Sequence, residues 1–215
     1  SMYTGYLVIA PVRGEVSKLH DSMREGEKYV GHCQLRTPQM DYGTAEGAQA
    51  LATYVQEVSG HIDHVFVVGG GMGASKVASE ISARDWQETS QHKVIPQLLT
   101  AQHLIPLLRD EETSSYTVVT GASGELCYLA SFALRCMANA AVYGLVLALQ
   151  AEHRQKRFRI NELRIAALIC HDDEEQHPVF KMAAAPSSRL AVVYIDRVVR
   201  TGLRDSVVRI TPEDL

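Results

Sequence analysis

The sequence groups residues capable of chemistry in two glycine-bearing turns, one acidic and histidine-rich run and one basic cluster. The first turn, Gly69-Gly70-Gly71-Met72-Gly73, follows the apolar run His64-Val65-Phe66-Val67-Val68 directly. Its Gly69-x-Gly71-x-x-Ala74 spacing formally fits a phosphate loop, where bare backbone amides approach a pyrophosphate at a helix N-terminus. That fingerprint also needs a following strand that ends in an acidic ribose ligand about 20 residues on. Positions 85–109 carry helical spacing instead, so the glycines read as a tight strand exit beside a ligand pocket. Gly70, Gly71 and Met72 are then candidate substrate contacts. The second turn, Thr120-Gly121-Ala122-Ser123-Gly124, continues with Glu125 and Cys127 where a phosphate loop would need glycine.

His171-Asp172-Asp173-Glu174-Glu175-Gln176-His177 offers metal-capable groups, but it reads as a solvated acidic loop and no metal is expected. Arg154, Lys156, Arg157 and Arg159 form a basic cluster at a helix end, where cations suit the dipole. His64 and His103 read as satisfied core or surface histidines. The cysteines Cys33, Cys127, Cys136 and Cys170 form no CxxC pair, which excludes a zinc ribbon or redox dithiol and points to buried, reduced thiols.

These residues need elements to hold them. Tyr6–Ala10 reads as a buried strand ended by Pro11, and 15–25 as a helix stopped by Gly26. Tyr29–Leu35 is a second short strand. Thr44 starts a helix whose stripe is Ala48, Leu51, Val55 and Val58, closed by Gly60. His64–Val68 is the clearest buried strand. A helical stretch over 82–109 is kinked or divided by Pro96 and Pro106. Tyr116–Thr120 is the next strand, followed by a long apolar helix over 129–154 whose small residues serve packing. Leu163–Ile169 and Val207–Ile210 complete the strands. Strands alternating with helices predict right-handed crossovers and a mostly parallel sheet covered on both faces, a Rossmann-like α/β three-layer sandwich.

Length and composition agree. The 215 residues, 46% hydrophobic and 21% charged, suit one domain spanning 1–215 and exclude a disordered tail or fibre. A net charge of -4 gives no overall basic field, so no nucleic acid partner is expected. Apolar stretches are interrupted before they reach a membrane-spanning length, so no membrane association is expected. Ser1 ahead of Met2 reads as the remnant of a cleaved tag, and no secretory signal follows. A cytoplasmic protein is the expectation.

The order of segments resembles the short-chain dehydrogenase/reductase family over nearly the whole chain. Ile62–Gly71 is similar to the family's fourth strand, Ser82–Trp86 to the start of its long crossover helix, and Ser115–Ser123 to the fifth strand that delivers the catalytic serine. Asn139-Ala140-Ala141-Val142-Tyr143-Gly144-Leu145 is similar to the helix that carries YxxxK, and Arg159–Leu163 to the sixth strand. Tyr6–Arg13 resembles the second strand, with Arg13 where NADP-binding members place a base for the 2′-phosphate. On that alignment the first strand-helix unit and its glycine-rich cofactor loop are missing. The competing alignment makes 6–10 the first strand, with Pro11–Glu15 in place of the glycine loop.

The resemblance implies a site at Ser123, Arg135, Asn139 and Lys93. Ser123 matches the family serine, Arg135 stands in the place of its tyrosine, Asn139 in that of its lysine, and Lys93 near its asparagine. His171 falls on the family's mobile substrate lid. Deprotonating an arginine at pH 7 would cost roughly 7–9 kcal/mol, against the about 3–5 kcal/mol that general acid catalysis yields. Arg135 therefore cannot replace the phenol. The resulting expectation is a protein that has lost redox chemistry. It would need no cofactor and would act on a small-molecule carbonyl substrate by isomerisation, cyclisation or carbon–carbon bond chemistry. Arg135 and Lys93 would stabilise negative charge while Ser123 positions the oxygen. The alternatives are a non-catalytic scaffold or binding protein, and an NADPH-dependent oxidoreductase using Arg13. The family also implies a homodimer through the helices at 82–109 and 129–154.

Overall fold

The computed structural model describes residues 6–14, 34–69, 73–174, 176–177 and 180–215. The expected helix at 15–25, most of the strand at 29–35, and Gly70, Gly71 and Met72 lie outside the described residues. Strand β1 (Leu7–Ile9) runs parallel to β2 (Gln34–Arg36), with Leu7 opposite Gln34. Helix α1 (Ala45–Val58) follows and buries Ala48, Leu51, Ala52 and Val55, the i, i+3, i+4, i+7 stripe of a helix facing a core. Thr44 caps it by accepting the Gly47 N–H at 3.0 Å. A Cβ on Gly47 would stand 1.8 Å from the Asp41 carbonyl oxygen, so that turn admits only glycine.

Four further strands form the main parallel sheet: β3 (His64–Val67), β4 (Ser115–Gly121), β5 (Arg159–Ile165) and, after two short strands, β8 (Val207–Ile210). They lie side by side in the order β3-β4-β5-β8. Among the described residues no hydrogen-bonded pairing joins β1–β2 to this sheet. The connection is by packing, since Ile9, Met40 and Tyr42 rest on the core that Val65, Val67, Tyr116 and Val118 share with α1. Leu163, Val208 and Ile210 form a second core with Val198 on the other face. Both faces are covered, as the strand-helix alternation predicts.

The helical stretch after β3 divides into α2 (Ala83–Lys93) and α3 (Ile95–Leu104), and a 3-10 turn at 105–107 ends it. Proline lacks the N–H that the preceding turn would bond, so Pro96 opens a new helix and Pro106 ends the run. Ser82 starts α2 with a capping box to Asp85, and the Lys76 ammonium joins at 2.8 Å. These bonds hold the Asp85 carboxyl well below the usual carboxylate range, through Lys76 first and Ser82 next.

Helix α4 (Ala133–Glu152) is shorter than the expected 129–154, and it is long and apolar enough to cross a membrane. The interruptions read from the sequence do not shorten it. One side, Leu134, Ala138, Val142 and Val146, is buried against the sheet, as in the core helix of a globular domain. The remaining elements are β6 (Ile169–Cys170), β7 (Ala185–Pro186) and α5 (Ser187–Tyr194).

Two readings of side chains change. Arg159 belongs to no surface cluster. It is buried at the start of β5 and donates to the carbonyls of Val198 at 2.8 Å, Thr113 at 2.9 Å and Leu203 at 3.2 Å. These carbonyl bonds tie the C-terminal segment to the sheet, although the buried Nε of Arg159 finds no hydrogen-bond partner among the described residues. Cys127 is exposed, and only Cys170 of the described cysteines is fully buried.

Candidate functional site

In an open α/β sheet the carboxyl ends of the strands, with the loops that leave them, make the ligand crevice. At the end of β4 the chain turns through a short 3-10 segment, Ala122–Gly124, against α4. Asn139 fixes this turn. Its carboxamide oxygen accepts the Gly121 N–H at 3.2 Å, which leaves its amino group to donate to Ser123 Oγ at 2.7 Å. Asn139 is buried and both ends of its amide are used within the protein, so it positions the turn. Ser123 Oγ accepts that bond and keeps its own O–H for another partner.

Arg135 lies one turn earlier on α4. Its guanidinium sits 4.1 Å from the ring centre of Phe132 and 5.8 Å from that of Phe180. Cation–π contacts of this kind hold a guanidinium in place while leaving it charged. Phe180 belongs to the loop that carries His171, so this loop does reach the site. His171 itself is exposed, with Nδ1 2.6 Å from Asp173 in its own loop. Burial lowers the pKa of Arg135, which nevertheless stays a permanent cation at neutral pH. Lys93, the last residue of α2, feels Arg135 across the contact between α2 and α4. Burial first, and Arg135 second, lower the Lys93 pKa. Of the four expected site residues, Ser123 and Asn139 are in direct contact, and Arg135 lies one turn from Asn139 on the same helix.

A second group, absent from the sequence reading, lies beside this turn. Tyr143 donates its hydroxyl to the Gly121 carbonyl at 2.5 Å. A Cβ on Gly124 would meet the Tyr143 ring at 2.7 Å and the Ala140 backbone nitrogen at 2.8 Å, so glycine is required there. Burial pushes the Tyr143 phenol up to about 12, which makes it a weak acid near neutrality. The Arg164 guanidinium stacks 3.7 Å from the centre of that ring and forms ion pairs of 2.7 Å with both Glu162 and Glu125. Burial opposes its charge, but the two carboxylates outweigh burial and raise its pKa. Arg209 completes the set at 3.3 Å from Glu125. No sequence signal joins Tyr143 to Arg164, because they are distant in the chain and meet only where α4 crosses β5.

Arg13 follows β1 at the corresponding strand end of the two-stranded part. It is half exposed, 3.9 Å from Asp41 and 5.6 Å from the centre of the Tyr42 ring. A cation beside an aromatic face at a strand end fits the phosphate and base of an adenine nucleotide. Among the described residues no group of three or more His, Cys, Asp or Glu could hold a metal ion.

The short chain dehydrogenase family model matches residues 2–168. Among characterised relatives, the short-chain dehydrogenase/reductase iacG of Pestalotiopsis fici is 24% identical over 187 residues, covering 84% of this chain and 73% of that one. Among solved structures, the NADH-dependent reductase A1-R′ complexed with NAD superposes with a TM-score of 0.76 at 13% identity, over 98% of this chain and 87% of that chain. The NADPH-bound short chain oxidoreductase from Pseudomonas aeruginosa PAO1, described as containing an atypical catalytic center, gives 0.75 at 15% identity, over 95% and 85%.

These likenesses overturn two expectations: that redox chemistry has been lost, and that no cofactor is used. Both inferences joined an expected loss of the glycine loop to the expectation that Arg135 and Asn139 stand in place of the tyrosine–lysine pair. The family match is to dehydrogenases, and the Pseudomonas structure shows an atypical catalytic center and bound NADPH together on this fold. The physical reason is a division of labour. A tyrosine–lysine pair manages the proton of a carbonyl reduction, whereas the hydride is the cofactor's chemistry. Replacing the pair changes the first task and leaves the second in place. The chain belongs to the short chain dehydrogenase family.

Proposed function

We propose that the protein is a nicotinamide-dependent oxidoreductase that interconverts a carbonyl and an alcohol on a small-molecule substrate. The observation that carries this reading is the Ser123–Asn139 pair at the carboxyl end of β4, one helical turn from Arg135, in a chain of this family. When bound, the nicotinamide supplies or accepts the hydride. Arg13 and Tyr42 would hold the adenosine end, with Arg13 favouring a cofactor that carries a 2′-phosphate. Gly70, Gly71 and Met72 are proposed to contact substrate from the end of β3.

The chain's own residues divide the remaining work. The Ser123 hydroxyl, oriented by Asn139, donates to the substrate oxygen. Arg135 is held by Phe132 and Phe180 and stabilises charge that develops on that oxygen, without reorganisation at the moment of reaction. Phe132 packs edge-on against Phe180 of the loop that carries His171, and the two rings would exclude water from the reacting carbon. Neither serine nor arginine gives up a proton near neutral pH, so proton transfer falls to another group.

Exposed Met137 and Leu147 on α4 suit a homodimer face formed with the α2–α3 region. We place the protein in the cytoplasm, with no nucleic acid or membrane partner. The test is consumption of NADPH or NADH with a panel of aldehydes, ketones and 1,2-diones. Turnover that is lost in Arg135→Ala and Ser123→Ala supports the reading, and an inactive wild-type protein across the panel overturns it.

A further inference from the structure

We propose that Arg159, Thr117 and Tyr194 form a buried binding site for a small monovalent anion, chloride by charge and size, under α5 at the amino ends of β4 and β5. The site lies at the opposite end of β4 from Ser123 and stands independently of the oxidoreductase reading.

The sheet register brings the side chains together. Ser115 lies opposite His64 on β3 and Arg159 on β5, and Thr117 lies opposite Phe66 and Asn161. Alternation along each strand puts these residues on one face. Tyr194, the last residue of α5, stacks on Phe66 with 4.0 Å between ring centres. One turn later, in the π-helical continuation Ile195–Val199, the Val198 carbonyl accepts from Arg159 at 2.8 Å. The same helical run therefore carries the Tyr194 ring and covers the Arg159 guanidinium.

Three polar atoms of this group are buried without a hydrogen-bond partner: Arg159 Nε, Thr117 Oγ1 and the Tyr194 hydroxyl. The guanidinium has five N–H donors. Four are used, on Nη1 by Val198 and Leu203 and on Nη2 by Thr113 and Val199, and the Nε–H remains. Ser115 is already taken, with Oγ 3.0 Å from His64 Nδ1. Burial raises the pKa of the Tyr194 phenol, and its neighbours Thr117, Ser115 and Arg159 oppose that rise.

Charge decides what completes the group. Arg159 is 3% exposed, and its guanidinium stays a cation at neutral pH. Among the described residues it makes no ion pair. Arg164 on the same strand, by contrast, is paired with Glu162 and Glu125 at 2.7 Å each. Asp63 is engaged by Arg109 at 3.1 Å, and burial holds the His64 imidazole below its usual pKa, so neither neutralises Arg159. A buried charge without a counter-ion is costly. Water would satisfy the three polar atoms and leave the charge. A monovalent anion accepts from the Nε–H and both hydroxyls and cancels it. Phe66 and Val198 close the group with apolar atoms, which suits a halide better than a larger oxyanion.

The test uses the whole protein in sodium chloride, bromide or gluconate at equal ionic strength. Relative to gluconate, chloride and bromide at about 100 mM are expected to raise Tm saturably by about 3–10 °C, the shift that millimolar binding to the folded state gives. The double variant Thr117→Val, Tyr194→Phe removes two donors and keeps both shapes. Its Tm in gluconate should stay close to the wild-type value, and its halide rise should vanish. Each single variant should show a reduced rise, which keeps the test decisive if the double variant folds poorly. Arg159 stays intact, because its carbonyl bonds hold the C-terminal segment. Bromide-soaked crystals give a second readout, an anomalous peak beside Arg159 Nε that the double variant lacks. A wild-type Tm that is equal in all three salts, a halide rise that the variants retain in full, or no bromide peak at Arg159 overturns the site. No readout here uses a nicotinamide cofactor, so failure of the oxidoreductase reading leaves the site standing.

Discussion

Two polar clusters involve helix α4, through Tyr143 and through Arg135, and they are built on opposite principles. Around Glu162, Glu125, Arg164 and Arg209, two carboxylates meet two guanidiniums, and Tyr143 offers a ring face to one of them. Around Lys93 and Arg135, two cations face each other, and the ammonium has no acceptor among the described residues. The first cluster is complete without a ligand, and it stiffens the floor of the site through the Tyr143–Gly121 bond. A folded protein keeps an unsatisfied group where function requires it, and stability then comes from elsewhere.

The contrast can be broken from its structural side first. Glu162→Ala leaves Arg164 at the edge of the core with half its ion pairs, and should destabilise the protein by about 3–5 kcal/mol in urea unfolding. A change under about 1 kcal/mol would mean that the network is solvated like a surface bridge. Asn139→Leu strips one partner from Gly121 and one from Ser123. It should cost about 1–3 kcal/mol and lower turnover, because the serine hydroxyl is no longer oriented.

Lys93→Met should go the other way. It removes a poorly satisfied charge and keeps the side-chain volume, so stability should hold or rise by about 0.5–2 kcal/mol. A large destabilisation would make Lys93 a structural residue. The smallest effect is expected at Arg84→Ala, whose pair with Glu88 is fully exposed, with no measurable shift in the unfolding midpoint.

The pH dependence has a definite sign. Burial and Arg135 hold the Lys93 pKa below its unfolded value, so between the two values the unfolded chain binds more protons. The Lys93 contribution therefore makes stability rise as pH rises through that window, and Lys93→Met should abolish that slope in urea titrations at several pH values.

Much of this was legible in the sequence because it is local. Thr44 and Gly60 bracket α1, Pro96 and Pro106 divide the long helical stretch, and β3, β4 and β8 stand out as apolar runs. The order of those segments also sets Ser123 and Asn139 in one expected site, and the fold joins these two by a hydrogen bond. What escaped depends on tertiary contacts. Glu162 and Arg164 alternate along β5 as any exposed charges would, and only the crossing of α4 turns them inward onto Tyr143. Arg159 sits in a run of basic residues, yet its guanidinium is buried under carbonyls from the C-terminal segment. The functional misreading had another source: the tyrosine–lysine positions to which Arg135 and Asn139 were matched concern how a proton moves, not how a hydride moves.

The central claim is that this fold holds a nicotinamide dinucleotide, and the direct measurement is a calorimetric titration of the protein with NADPH and with NADH. The account predicts saturable binding of one or both, and for NADPH a loss of affinity in Arg13→Ala that exceeds the loss for NADH. No saturable binding of either cofactor at millimolar concentration would contradict it.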